Sequence, residues 1–183
     1  EDGYVVLNGD DDKLATVKEV KGKAPYFFGL QDSDHKTALA TDIQNHGLFG
    51  SDFKMSLFGK ELEASVPLPG QHMVINALAA ATVGKLLAME EEDILKGIAS
   101  VQATGGRSNI LKLADKTVID DCYNANPVSM KAAIDLLMMA QGRKVVILGD
   151  MFELGTDELA LHREVGMYAA MARLEGMIFI GNL

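Results

Sequence analysis

The sequence predicts an α/β protein built in two parts, and three observations predict it. Residues 25–67 carry short β-type segments with turn residues between them, a pattern that suits a small antiparallel β layer backed by helices. Thr104, Gly105, Gly106 and Arg107 then interrupt the apolar periodicity. Beyond them strand-like and helix-like segments alternate, which implies a parallel or mostly parallel sheet with right-handed crossovers. The break divides the chain into residues 1–104 and 105–183.

The elements follow from the residues in order. Tyr4, Val5, Val6 and Leu7 make a short apolar strand that runs into Asn8, Gly9, Asp10, Asp11 and Asp12. Such an acidic strand end suits a nucleotide-binding sheet; its plainer reading is a solvated turn capping the next helix. Residues 25–28 form an aromatic strand, residues 37–44 another, and residues 52–58 alternate apolar and polar side chains. Gly59 and Lys60 supply a hairpin turn into Leu62, Ala64 and Val66. His35 and His46 stand isolated and read as surface residues. After the turn at residues 68–72, Val74, Ala77, Leu78 and Ala81 share one face of a helix running to about Met89. A second helix spans residues 91–100, its acidic start favoured by the helix dipole.

In the second part, strands are expected at 109–114, 117–120, 144–149 and 176–180, with helices at 127–140 and 156–173. Asn126 before Pro127 is a helix start: the amide can cap orphan N–H groups, and proline fits the first helical position.

Composition narrows the class. A chain of 183 residues with 48% apolar side chains can bury a sizeable core. The longest uncharged window, 64–84, contains Pro67, Pro69, Gln71, His72 and Asn76, so no membrane insertion is expected. Seventeen basic against twenty-six acidic residues give a net charge of -9, which repels nucleic-acid backbones. Cys122 is the single cysteine; it excludes an intrachain disulfide framework and a multi-cysteine zinc site, and suits a reducing cytoplasm. No resident metal centre is expected from these residues. The chain opens on Glu1 and stops just after an apolar strand, and neither end has the look of a natural terminus. It reads as an excerpt of a longer protein, with no signal or transit segment before the fold.

The segment 120–130, D-D-C-Y-N-A-N-P-V-S-M, is the richest in chemistry. It follows a strand, and open α/β sheets bind ligands at the carboxyl ends of their strands. An aspartate there can accept bonds from ribose hydroxyls or orient a cation. With Asn126 and Pro127 given to the helix, Asp120, Asp121, Tyr123 and Asn124 are left to explain. A second glycine-bounded loop, 149–155, leaves Asp150 and Glu153 over, unless it is only a tight solvated connection. Arg107 can reach a phosphate through its fork of donors, or make a surface ion pair. His72 and Asn76, four apart at a helix start, face one way and serve either a ligand or capping and packing. His162 reads as a helix-surface or satisfied residue. No Gly-Lys is followed by Ser or Thr, so the loop that grips the β and γ phosphates is missing.

Taken together, P-L-P-G-Q-H-M-V-I-N-A-L-A-A-A, G-G-R-S-N, D-D-C-Y-N-A-N-P-V-S-M-K-A-A-I, and G-D-M-F-E-L-G with H-R-E-V-G resemble the Mur ligases, in order and approximate spacing, over essentially the whole chain. The third and fourth blocks resemble the branch that adds a dipeptide. The resemblance implies a cytoplasmic enzyme of peptidoglycan synthesis that uses ATP and Mg2+ to join D-alanyl-D-alanine to UDP-N-acetylmuramoyl-tripeptide. Residues 1–104 would be the later part of its central ATP-binding domain, and 105–183 the first part of a dinucleotide-fold-like C-terminal domain. In the family a carboxylate becomes an acyl phosphate, which the incoming amine attacks with loss of phosphate. The lysine and Mg2+ that chiefly meet the phosphoryl charge would belong to the upstream segment, so no complete catalytic set is expected here and the chain alone should be inactive.

Residue by residue, the resemblance matches Asn76 to the second asparagine of an H-N-x-x-N block, which begins at His72 and lines the adenine side of the nucleotide. Met73 stands where the first asparagine would be. It matches Arg107 to a junction arginine that contacts ATP, and Asp121 to an aspartate that contacts the ribose, both on domain closure. Tyr123, Asn124 and Asn126 would face the ATP and dipeptide cleft, and Asp150 and Glu153 would position substrate. Cys122, where serine is commoner, is expected to be a small filler. The alternatives are another Mur-type or folylpolyglutamate-type ligase, or a nucleotide-binding module without the chemistry.

Overall fold

A computed structural model describes residues 3–31 and 35–183. The chain divides into two compact units, Glu1–Gln102 and Ala103–Leu183.

In the first unit, β1 (Val6–Asn8), β2 (Tyr26–Gly29), β3 (Lys36–Asn45), β4 (Ser51–Leu57) and β5 (Lys60–Val66) form one sheet in sequence order. The expected antiparallel layer accounts for β3–β4 and β4–β5, whereas β1–β2 and β2–β3 are parallel, so the sheet is mixed. Along β4 the side chains of Ser51, Phe53, Met55 and Leu57 are buried while Asp52 and Lys54 are exposed, the alternation that a pleat imposes.

The hairpin turn lies one residue earlier than expected. Phe58 and Gly59 occupy it, at φ +49° and +79°, and Lys60 pairs with Leu57. Two positive φ values match the twist of the flanking strands, which is why two-residue hairpins favour them. A phenylalanine accepts this conformation because its ring packs 5.8 Å from that of Tyr26 and its N–H donates to Thr37 O at 2.8 Å.

Helix α1 (Gln71–Leu86) lays Val74, Ala77, Leu78 and Ala81 against Phe53, Met55, Leu57 and Val66, and α2 (Glu91–Ala99) adds Ile94 and Ile98 to the same core. The first helix stops short of Met89 because Ala88 turns left-handed at φ +60° and Met89 N–H bonds back to Gly84 O at 3.0 Å. Thr82, fully buried, is satisfied by donating to Leu78 O at 2.8 Å.

The second unit runs β6 (Asn109–Lys112), β7 (Thr117–Asp120), α3 (Pro127–Met139), β8 (Val145–Gly149), α4 (Glu158–Met171) and β9 (Gly176–Ile180). The parallel sheet read from the sequence is realised in β8–β9, which α4 connects. Strands β6 and β7 instead pair antiparallel, because residues 113–116 can close a hairpin but not a crossover. Helix α3 starts as expected: Asn126 accepts from Ser129 N–H at 2.9 Å, Ser129 Oγ accepts from Asn126 N–H at 3.1 Å, and Pro127 follows the cap. Before α4 a 3-10 turn takes Gly155–Asp157, so the α-helix begins two residues later than the sequence suggests. Ile134, Leu148, Met151, Val165 and Ala169 form the core.

Candidate functional site

At the start of α1, Gly70 occupies the cap position at φ +98°, no side chain caps the helix, and its first turn holds no acidic residue. The leading N–H groups therefore meet no protein carboxylate in that turn, the arrangement that favours an anionic ligand. A Cβ on Gly70 would lie 2.5 Å from His72 Cε1, which explains the glycine. His72 and Asn76 are both exposed. The Asn76 amide donates to Met73 Sδ at 3.7 Å. The methionine thus engages Asn76 through a weak thioether acceptor where the family pattern has an amide.

The acids after β1 are occupied by the fold. Asp11 accepts from Lys13 N–H and Leu14 N–H, each at 2.9 Å, and so caps the short 3-10 turn Leu14–Thr16. Asp10 reaches the neighbouring strand: it accepts from Leu30 N–H at 2.6 Å and Gln31 N–H at 3.2 Å, and pairs with Lys36. Burial pushes the Asp10 carboxyl up, but the Lys36 ammonium and the two N–H donors more than offset this and hold it below its ordinary value. The plainer sequence reading, a solvated turn capping the next helix, fits Asp11, whereas Asp10 instead ties the end of β1 to the residues after β2 and to Lys36.

In the second unit the turn at 104–108 is stitched to the end of β7. Ser108 N–H donates to Asp121 Oδ1 at 2.7 Å, and Tyr123 N–H donates to Gly106 O at 2.8 Å. The Arg107 guanidinium stacks over the Tyr123 ring, 4.1 Å from its centroid. Gly106, at φ +73°, lets the turn approach this closely. Arg107 therefore shares one strand edge with Asp121 and Tyr123, more than a dozen positions further along the sequence. Cys122 donates its thiol proton to Asp120 at 3.1 Å, and that bond pushes the thiol pKa up. A thiol held protonated is a poor nucleophile, but Cys122 is exposed and so is not the packed filler expected. Asn124 is exposed and uses its side-chain oxygen on Ala125 N–H at 2.9 Å, while Asn126 is engaged as the α3 cap.

The loop after β8 repeats the device seen after β1. Asp150 accepts from Asn182 N–H at 2.8 Å and Leu183 N–H at 3.1 Å, just past β9. Gly181 lies between, at φ +136°, where a Cβ would come within 2.2 Å of the carboxyl carbon. Met151 is buried, and its N–H donates to His162 Nε2 at 2.8 Å. The other ring nitrogen of His162 bonds Glu158 O at 2.7 Å, so this histidine anchors the loop through its Nδ1–H tautomer. Its only sequence signal was a histidine four positions into the helix that follows a glycine-bounded loop. Glu153 is exposed and holds φ +61°.

The N–H bonds from Asn182 and Leu183 lower the Asp150 carboxyl. A depressed carboxyl contributes stability above the unfolded value of about 3.9, and that contribution is lost as pH falls through the folded value. The amide resonances of Asn182 and Leu183 should accordingly stay fixed down to roughly pH 4 and move only in stronger acid. A transition centred above that range would show that the bonds do not hold the carboxylate.

Two surface concavities, of about 420 and 350 Å³, lie elsewhere, along Asp42–Lys54–Glu63 and along Lys131–Glu164–Met171. Among the described residues no group of three or more His, Cys, Asp or Glu side chains is placed to hold a metal ion, and no helix is long and apolar enough to cross a membrane.

Comparison with known proteins adds to this geometry. The family model described as the Mur ligase middle domain matches residues 1–84, and that described as the Mur ligase, glutamate ligase domain matches residues 106–183. A UDP-N-acetylmuramoyl-tripeptide–D-alanyl-D-alanine ligase of Escherichia coli (strain K12) is 31% identical over 185 residues, covering 100% of this chain and 40% of that protein. The ligase of the same description from Bacillus subtilis (strain 168) is 31% identical over 188 residues, with 100% and 39% covered. Among solved structures, MurF from Acinetobacter baumannii superposes with a TM-score of 0.88 at 31% identity, over 98% of this chain and 39% of that one. MurF from Thermotoga maritima in complex with ADP gives 0.74 at 22% identity, over 97% and 43%. The chain spans about two fifths of the length of the curated relatives it matches.

Proposed function

The chain belongs to the Mur ligase family, and from that premise we propose that it is part of an ATP-dependent ligase joining D-alanyl-D-alanine to UDP-N-acetylmuramoyl-tripeptide in the cytoplasm. The observation that carries this reading is the stitching of the 104–108 turn to the end of β7. It brings the Asp121 carboxylate and the Arg107 guanidinium to one strand edge, a pairing that supports a reading of ribose and phosphate contacts there. The uncapped start of α1, with His72 and Asn76 exposed beside it, is a second surface suited to a nucleotide. The two curated relatives carry the name of this activity, and the Thermotoga maritima structure was solved with ADP.

In this reading each unit offers its own groups to a nucleotide, His72 and Asn76 in the first and Arg107 and Asp121 in the second. Tyr123, Asn124 and Asn126 border the place where nucleotide and dipeptide meet. Asp150 and Glu153 shape the substrate edge, Asp150 by fixing the backbone at residues 181–183. ATP supplies the phosphoryl group that turns the tripeptide carboxylate into an acyl phosphate, and the dipeptide amine then displaces phosphate. This chain's share is to bind and orient. Among the described residues no group of three or more His, Cys, Asp or Glu side chains converges on a metal position, and no step is assigned to Mg2+ here.

The test uses the product of the complete gene. Phosphate release should require ATP, the UDP-linked tripeptide and D-alanyl-D-alanine together, and single amino acids should not replace the dipeptide. Arg107→Ala should weaken ATP binding by roughly tenfold or more, the worth of a charged hydrogen bond. Use of a single amino acid would move the protein to another branch of the family. ATP binding without turnover under any substrate combination would favour a non-catalytic nucleotide module.

A further inference from the structure

Arg107 has two possible kinds of partner in a folded protein, and they have opposite consequences for a ligand. A carboxylate would take up its in-plane N–H donors and neutralise its charge. An aromatic face holds the guanidinium by its flat side and leaves the donors around its rim open. Here the partner is aromatic: the guanidinium carbon lies over the Tyr123 ring, 4.1 Å from its centroid, and no ion pair among the described residues involves Arg107.

The surrounding backbone is arranged to keep this stack. Tyr123 N–H donates to Gly106 O at 2.8 Å, Arg107 N–H to Thr104 O at 3.0 Å, and Ser108 N–H to Asp121 Oδ1 at 2.7 Å. Gly106 leaves the room: a Cβ there would press at 3.3 Å on Tyr123 N and Cβ. Both partners are otherwise exposed, so neither is placed by burial. Among the described residues the Tyr123 hydroxyl has no hydrogen-bond partner, which leaves the ring as the working part.

We propose that Tyr123 is a positioning residue that acts through Arg107, holding the guanidinium flat against its ring so that the donors point outward to a polyphosphate. This rests on the reading of Arg107 as an ATP-binding residue. It changes the role of Tyr123 from a group that faces substrate to one that pre-orients the group that does. An exposed arginine loses much rotamer freedom on gripping a phosphate, and a stack that has already restricted it leaves less to lose.

The experiment is a double-mutant cycle in the product of the complete gene, reading ATP affinity by calorimetry, KM for ATP, kcat and the unfolding temperature. Tyr123→Leu should raise the ATP dissociation constant and KM by roughly two- to fivefold, the scale of an exposed cation–π contact, with kcat and unfolding temperature unchanged. Tyr123→Phe, which keeps the ring, should restore affinity. In an Arg107→Ala background Tyr123→Leu should have no further effect.

The proposal is overturned if Tyr123→Leu weakens ATP equally in the Arg107→Ala background, because the tyrosine then touches the ligand itself. It is also overturned if Tyr123→Phe behaves like Tyr123→Leu, or if Tyr123→Leu changes nothing while Arg107→Ala weakens binding. Unchanged affinity in Arg107→Ala alone would instead remove the ATP-site reading, and the positioning role with it.

Discussion

Replacing Asp10 with alanine is expected to destabilise the first unit by about 2–3 kcal/mol, the usual consequence of removing a charged acceptor from an ammonium and two backbone N–H groups. The Lys36 side chain is only 3% exposed and Asp10 14%. Without the carboxylate an ammonium would be left out of water with Gln31 O as its remaining partner, and the N–H groups of Leu30 and Gln31 would lose their acceptor. Urea unfolding measures the loss. Asp10→Asn, which keeps an acceptor but no charge, should fall between wild type and alanine. Asp10→Ala combined with Lys36→Met should recover part of the loss, since an apolar pair leaves no stranded charge. A cost under about 1 kcal/mol for the single alanine variant would place the pair among solvent-screened ones.

Gly50→Ala should cost on the order of 3 kcal/mol or more, and the contrast with Gly59→Ala isolates the reason. Both glycines have positive φ, +97° and +79°. A Cβ at Gly50 would sit 2.0 Å from Val66 O and 2.8 Å from Pro67 backbone atoms, whereas one at Gly59 meets nothing within 4 Å. Relief at Gly50 would pull apart the Ser51–Val66 pair that ends the β4–β5 ladder. Gly59→Ala carries only the left-handed backbone penalty, about 1–2 kcal/mol. Thermal unfolding of the two variants should separate clearly; equal shifts would mean that φ alone sets the cost at both positions.

Both first-unit effects arise from how neighbouring strands meet, and the same geometry recurs in the second unit. Asp10 follows β1 and takes two N–H groups just past β2; Asp150 follows β8 and takes two just past β9. In each case a glycine, Gly29 or Gly181, stands where a Cβ would come within 2.6 or 2.2 Å of the carboxylate group. The sequence singled out Asp10 and Asp150 as strand-end acids. It did not reveal their partners, which lie 20 and 32 positions away and are set by which strand lies alongside.

Other parts were legible for a matching reason. The alternation in β4 and the Asn126–Pro127 start of α3 depend on residues within one strand or one turn, so reading neighbours was enough. The hairpin turn was misread by one residue because Phe58 contradicts the preference for small residues at positive φ, and only its contact with Tyr26 explains it. In the sequence His162 reads as a helix-surface or satisfied residue without its partner, because that partner is a backbone N–H, which carries no side-chain signature.

By itself the sequence determined the α/β class, the course of most helices and strands, and the ordered blocks that mark the family. Tertiary structure decided which polar groups remain available for chemistry. It tied Asp10 and Asp150 to backbone N–H groups of distant segments and laid Arg107 over Tyr123 beside Asp121. The physical reason is range. Periodicity and capping act over a few residues, whereas the partner of a strand-end carboxylate or an exposed guanidinium is chosen by packing between distant segments.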